Sequence, residues 1–204
     1  MEIDRKNHWQ TVYETKQPNE VSWTQENPKT SLDFIKATNL DKSVKIIDIG
    51  GGDSNLVDFL LADGYENITV LDISASSLER AKKRLGEKAS KVNWIVSDIT
   101  EFKPMTIYEV WHDRATFHFL TNEKHIKTYM EITEKWVSNS IIIGTFSENG
   151  PIKCSDLEIK QYSEKELENQ FSSNFEKLKC INEDHITPFG TKQNFTYCVF
   201  KKIN

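Results

Sequence analysis

Long apolar runs are missing from this sequence. The longest are a few residues, such as Ile141-Ile142-Ile143, far short of the roughly 20 residues that a helix needs to cross a bilayer. The opening stretch, MEIDRKNHWQ, lacks the apolar core of a secretory signal. Cysteine is scarce: Cys154, Cys180 and Cys198 are an odd number without a CxxC spacing. That speaks against a disulfide framework and against a zinc knuckle, so the expectation is a reduced, cytoplasmic chain with no metal and no membrane partner. With 8 glycines and 5 prolines there is little material for a long flexible linker. Positive charge is not in excess either. A net charge of −5 means that nucleic acid is not the default partner.

What is present is an ordinary globular composition over 204 residues, enough for one domain with a sizeable core. Apolar, β-branched runs predict buried strands at Val44–Ile49, Ile68–Leu71, Val92–Val96, Val110–Trp111 and Ile141–Phe146. Amphipathic stretches at Asn55–Ala62, Ala75–Leu85 and Glu123–Val137 alternate with them, with Ser74 placed as an N-cap and Gly64 and Gly86 as stops. This alternation predicts parallel βαβ units in an open, doubly wound α/β sheet. Asn27-Pro28 reads as a cap and first residue of a helix to about Thr38, and Ser163-Glu164-Lys165-Glu166 as a capping box. Phe175–Ile181 and Phe195–Phe200 read as a terminal antiparallel pair. Residues 1–26 offer aromatic and polar side chains but no predicted element.

Gly50-Gly51-Gly52 follows the first strand. Glycines between a strand and a helix let the backbone turn sharply and let a ligand approach it. A dinucleotide fingerprint needs a third glycine where Asn55 stands, and Asp48 before the first glycine would repel a diphosphate. An amino group would be attracted there instead. Two further acids end successive strands, Asp72 and Asp98, and ligands of such sheets bind outside the carboxyl ends of strands.

Asp48-Ile49-Gly50-Gly51-Gly52-Asp53-Ser54 resembles the first motif of the class I S-adenosylmethionine-dependent methyltransferases, with Ser54 in place of the last glycine. The resemblance implies a Rossmann-like seven-stranded sheet of order 3-2-1-4-5-7-6 with the last strand antiparallel. It implies S-adenosylmethionine as cofactor. Asp48 and the Gly50, Gly51 and Gly52 backbone would hold its methionine portion, Asp72 its ribose diol, and Asp98 its adenine amino group between Ile73 and Ile99. It also implies one domain over 1–204 with residues 1–27 as a lid, in which Trp23 and Trp9 could approach the sulfonium.

Further along, Trp111-His112-Asp113-Arg114-Ala115, Gly150-Pro151-Ile152-Lys153-Cys154-Ser155 and the tail from His185 to Phe200 resemble a widespread group of short bacterial methyltransferases. His8-Trp9, Tyr13 and Val21-Ser22-Trp23 belong to the same likeness. The fourth strand's end would face the acceptor, with Asp113 or His112 as general base, because side chains alternate along a strand. Asp113 is favoured, with Arg114 as the partner that keeps it ionised. A structural Asp113–Arg114 ion pair is the alternative. His118 reads as a packed core residue, His185 as a loop anchor, and Cys180 and Cys198 as free, small apolar residues packed in strands, while Cys154 follows the fifth strand in a loop on the active-site side, where no ligand spacing supports a metalloid site. A short chain favours a small-molecule acceptor of unknown identity. Two alternatives stand beside it: a protein (lysine) methyltransferase, since the chain is distantly similar to a mitochondrial protein-lysine methyltransferase acting on citrate synthase, and a non-catalytic S-adenosylmethionine-binding regulatory protein.

Overall fold

The computed structural model describes residues 4–203, so the first three residues of the expected lid lie outside the described residues. Strands β1 (Lys45–Ile49), β2 (Asn67–Asp72), β3 (Val92–Val96), β4 (Tyr108–Arg114) and β5 (Val137–Phe146) pair in parallel. A two-residue hairpin, β6 (Lys153–Cys154) and β7 (Leu157–Glu158), follows. The long antiparallel pair β8 (Phe175–Ile186) and β9 (Lys192–Lys202) then completes the main sheet, in the order β3-β2-β1-β4-β5-β9-β8. With the small hairpin set aside, this is the expected seven-stranded order.

The helices are α1 (Arg5–Thr15), α2 (Lys29–Ala37), α3 (Leu56–Ala62), α4 (Ala75–Leu85), α5 (Glu123–Trp136) and α6 (Glu164–Phe171). Each of the central strands β1, β2, β4 and β5 is covered on both faces, which is why their residues are apolar almost without interruption. One face packs Ile46, Val70, Val110 and Ile142 against Leu32, Ile35, Leu60 and Leu78 from α2, α3 and α4. The other packs Ile47, Trp111, Ile141 and Ile143 against Ile126 and Tyr129 of α5 and Leu167 and Phe171 of α6. Burying a side chain of that size is worth about 1.5–3 kcal/mol.

Local signals set the ends. Ser74 accepts the Ser77 amide, and Gly86 closes α4 at φ +58°. Ser163 and Glu166 form the capping box of α6. Pro28 stands at the N-cap of α2 rather than inside it. α1 is the one long helix with no counterpart in the sequence reading. Only Val12 and Tyr13 are buried in it, so it has no apolar stripe to detect.

The cysteines correct an expectation. Cys180 and Cys198 stand opposite each other in the β8–β9 ladder with Cα atoms 4.1 Å apart, and they form a disulfide. Their 18-residue separation carries no motif, because cross-strand partners are set by register rather than spacing. Cys154 is free and buried.

Candidate active site

The glycine triplet answers to packing in its own turn. After β1 the chain reverses with Gly50 at φ +63° and Gly52 at φ +51°, a region that side chains disfavour. A Cβ at Gly50 would lie 1.8 Å from Thr116 Oγ1, and one at Gly51 2.6 Å from Asp48 Oδ2. Arg84 of α4 clamps the loop from behind, donating to the Asp53 carbonyl at 2.7 Å and the Ser54 carbonyl at 2.8 Å. Asn55, where a dinucleotide fingerprint has glycine, donates to the carbonyls of Gln25 and Glu26 at 3.0 and 3.2 Å. It ties the N-terminal segment to the turn.

A cavity of about 240 Å³ runs over the carboxyl ends of β1 to β4. Of the residues expected at a cofactor, Trp23, Asp48, Gly50, Gly51, Asp72, Ile73, Asp98 and Ile99 border it. Gly52 stands behind them, with its added Cβ 2.8 Å from Tyr13 Oη. Asp72 is 5% exposed and accepts the Ser74 amide at 2.8 Å. Burial pushes its pKa up to about 7, and the charges of Asp53 and Asp48 add to the rise. Asp53 is likewise raised by burial, against the opposing pull of Arg80, which stands 3.7 Å from its Oδ2, and that oxygen is buried without a hydrogen bond. Asp98 accepts from Thr100 twice at 2.8 Å and from Arg5 Nη2 at 2.8 Å. Its carboxylate is therefore already engaged by α1. Neither Arg5 nor Asp53 was singled out in the sequence, since one lies 93 residues from its partner and the other reads as an ordinary loop acid.

At the other end, β1 and β4 set Asp48 and His112 side by side. His112 Nδ1 meets Asp48 Oδ1 at 2.7 Å and its Nε2 meets Ser31 Oγ at 2.8 Å. A carboxylate only accepts, so Nδ1 carries the proton and Nε2 accepts from the Ser31 hydroxyl. All three side chains border the cavity. Trp9, Tyr13 and Trp23 cover it, with Trp9 edge-on to Trp23 at 5.6 Å and to Phe119 at 5.1 Å.

The preference for Asp113 over His112 is corrected. Strand alternation sends His112 and Arg114 to the cavity face and Asp113 to the opposite one. Asp113 is 0% exposed and accepts the amides of Thr116 and Phe117 and the Tyr129 hydroxyl. Burial still raises its pKa to about 6, but it braces the loop after β4. Arg114 does not pair with it, which removes the ion-pair alternative too. Its Nε donates to Tyr197 Oη at 2.7 Å and its Nη1 to the Trp23 carbonyl at 2.9 Å. His118 is stacked on Phe146 and fully buried, with its pKa lowered to about 3 by burial. His185 Nε2 holds the Ser22 carbonyl at 2.7 Å, and burial lowers its pKa. Cys154 borders the cavity with its thiol pushed up to about 11 by burial.

Residues 46–135 match the model of a methyltransferase domain. Over 81 residues the chain is 36% identical to a malonyl-[acyl-carrier protein] O-methyltransferase of Anoxybacillus flavithermus, a match that covers 39% of this chain and 30% of that relative. The chain thus spans about a third of the length of the curated relative. Among solved structures it is similar to the N-methyltransferase NodS from Bradyrhizobium japonicum in complex with S-adenosylhomocysteine, at 14% identity and TM-score 0.75 over 97% of this chain and 100% of that one. It is similar also to the Burkholderia thailandensis 1,6-didemethyltoxoflavin-N1-methyltransferase, at 12% identity and TM-score 0.73 over 98% and 87%. Residues 46–135 thus match a methyltransferase domain, in a chain that shares its fold with these methyltransferase structures.

Proposed function

We propose that this chain is one catalytic domain that transfers a methyl group from S-adenosylmethionine to a small-molecule acceptor, with residues 1–27 as its lid. The observation that carries this reading is the run of carboxylates along one cavity at the ends of β1, β2 and β3. The donor set fits the cofactor. Asp72 can accept both hydroxyls of a ribose diol. The Asp53 carboxylate, whose Oδ2 has no hydrogen-bond partner and stands 3.7 Å from Arg80, and the carboxylate of Asp48 suit an ammonium and a sulfonium. Ile73 and Ile99 offer apolar flanks to a purine.

S-adenosylmethionine supplies the electrophilic methyl group; the chain supplies alignment, exclusion of water and a place for the acceptor's proton. That place is the Asp48–His112–Ser31 chain. Ser31 takes the proton from an acceptor hydroxyl, thiol or ammonium while its own passes to His112 Nε2, and Asp48 stabilises the imidazolium. The acceptor heteroatom gains the methyl carbon and loses its proton to this chain, while the sulfonium sulfur keeps the electron pair of the broken S–CH3 bond and leaves as a neutral thioether, so atoms and charge balance. An acceptor that arrives deprotonated bypasses this step.

The aromatic cover of Trp9, Tyr13 and Trp23 supports a small acceptor over a lysine side chain, which would need an open channel. The acceptor named for the Burkholderia neighbour is likewise a small molecule. The motifs around His112 and in the tail support placement among the short bacterial methyltransferases. A labelled-methyl assay over a panel of small acceptors tests the reading. Transfer that is lost in His112→Gln while S-adenosylhomocysteine still binds is the expected result. Tight cofactor binding with no transfer to any small molecule, but transfer to a protein extract, would favour the protein-directed alternative.

A further inference from the structure

The sequence contains four arginines, Arg5, Arg80, Arg84 and Arg114. Three face an aspartate: Asp98 at 2.8 Å, Asp53 at 3.7 Å and Asp58 at 2.7 Å. Arg114, at the end of β4 on the acceptor side of the cavity, has no carboxylate within 4.0 Å among the described residues. Its acceptors are neutral, the Tyr197 hydroxyl and the Trp23 carbonyl. A guanidinium has five N–H groups, so those two bonds leave three unassigned, and Nη2 is buried with no partner at all. The ring of Phe195 lies 4.8 Å from its centre, which desolvates the cation without neutralising it.

Its neighbours repeat the pattern. His118 Nε2 is a second buried donor without a partner, since Nδ1 accepts the Phe146 amide at 3.3 Å. Cys154 and His185 stand in the field of Arg114, and neither brings a negative charge. Of the acids that border the cavity, Asp53, Asp72 and Asp98 belong to its glycine-loop and strand-end side, and Asp48 reaches toward the acceptor side, where it is bonded to His112 and not to Arg114. Charge is therefore spread unevenly over the cavity: three acids gather on the cofactor side, and Arg114 stands on the acceptor side with no carboxylate of its own.

We propose that Arg114 docks an anionic group, a carboxylate, carried by the methyl acceptor. This deepens the methyl-transfer reading and rests on it. A single planar fork matches a carboxylate, whereas a phosphate dianion calls for more than one cation. Charge assistance makes a carboxylate a stronger partner than the Trp23 carbonyl that holds Nη1 now. Tyr197 Oη accepts from Arg114, and Arg114 and His112 share the cavity face of β4 two residues apart. The anion subsite and the proton path thus start from neighbouring positions on one strand face, which places the carboxylate of the acceptor only a few atoms from its methylated heteroatom.

The test is calorimetry of benzoate and benzamide, two probes of one shape, with protein saturated with S-adenosylhomocysteine. Benzoate is expected to bind at least about tenfold more tightly than benzamide. That preference is expected to vanish in Arg114→Met and to persist in part in Arg114→Lys. Affinity for S-adenosylhomocysteine, alike in all three within about twofold, reports that each variant is folded. Equal binding of the probes, binding of neither, or a preference that survives Arg114→Met overturns the proposal. A benzoate preference in a protein that does not bind S-adenosylhomocysteine would sink the methyl-transfer reading and leave the anion site standing.

Discussion

Asp72 is a buried acid whose pKa lies near 7 because desolvation penalises its charge. A raised acid pKa contributes stability that is present below the unfolded value and lost as pH rises through the folded one. Asp72→Asn is therefore expected to raise the Tm of the ligand-free protein at pH 8 and to do so much less at pH 5, the full effect being roughly 2–4 kcal/mol. The sign reverses for the cofactor, because a diol donates to the ionised form. S-adenosylhomocysteine affinity should be flat above pH 7 and fall below it, and titrations at pH 6 and pH 8 decide this. His112 and Asp113 divide along the same strand. His112→Gln should lower turnover by about 10²-fold or more with cofactor affinity intact. Asp113→Ala should instead lower Tm, by about 1–3 kcal/mol of stability, because it strips the Thr116 and Phe117 amides and Tyr129 of their acceptor. A turnover loss in Asp113→Ala at unchanged Tm would contradict this assignment.

At the scale of elements, the turn after β1 depends on missing side chains. Gly50→Ala combines φ +63° with a Cβ 1.8 Å from Thr116 Oγ1, so it should destabilise by more than about 2 kcal/mol, read as a drop in the urea midpoint. The β8–β9 pair is joined by its disulfide as well as by its ladder. Reduction should cost about 1–3 kcal/mol, less than an unconstrained loop of that length would suggest, since the hairpin already holds the ends together. A midpoint unmoved by reductant would contradict that. The strands and most helices were legible because apolar runs and caps are local signals. The faces of β4 were not: Val110 and Trp111 are both apolar because both sides of a central strand are buried, so nothing in VWHDR shows which of His112 and Asp113 meets the cavity. The helix α1 escaped for the opposite reason, being polar nearly all round.

Over the whole molecule, the sheet order and the strand-end acids were readable, because a doubly wound sheet places its ligand where strand order reverses, here between β1 and β4. What pattern alone left out are contacts made by chain closure: Arg5 on Asp98, His185 on Ser22, Arg114 under Trp23. These bring the N-terminal segment, β4 and the β8–β9 hairpin around one cavity. Asp53, Asp72 and Asp98 are gathered on one side, its lone unpaired cation among the described arginines is on the other, and Asp48 with His112 lies between them. The most direct test is calorimetric titration of S-adenosylhomocysteine into the wild-type protein and Asp72→Ala. One-to-one binding, weakened by about 1–3 kcal/mol in the variant, is the expected result. No binding to the wild type, or equal binding to both, would contradict an adenosyl site at the end of β2.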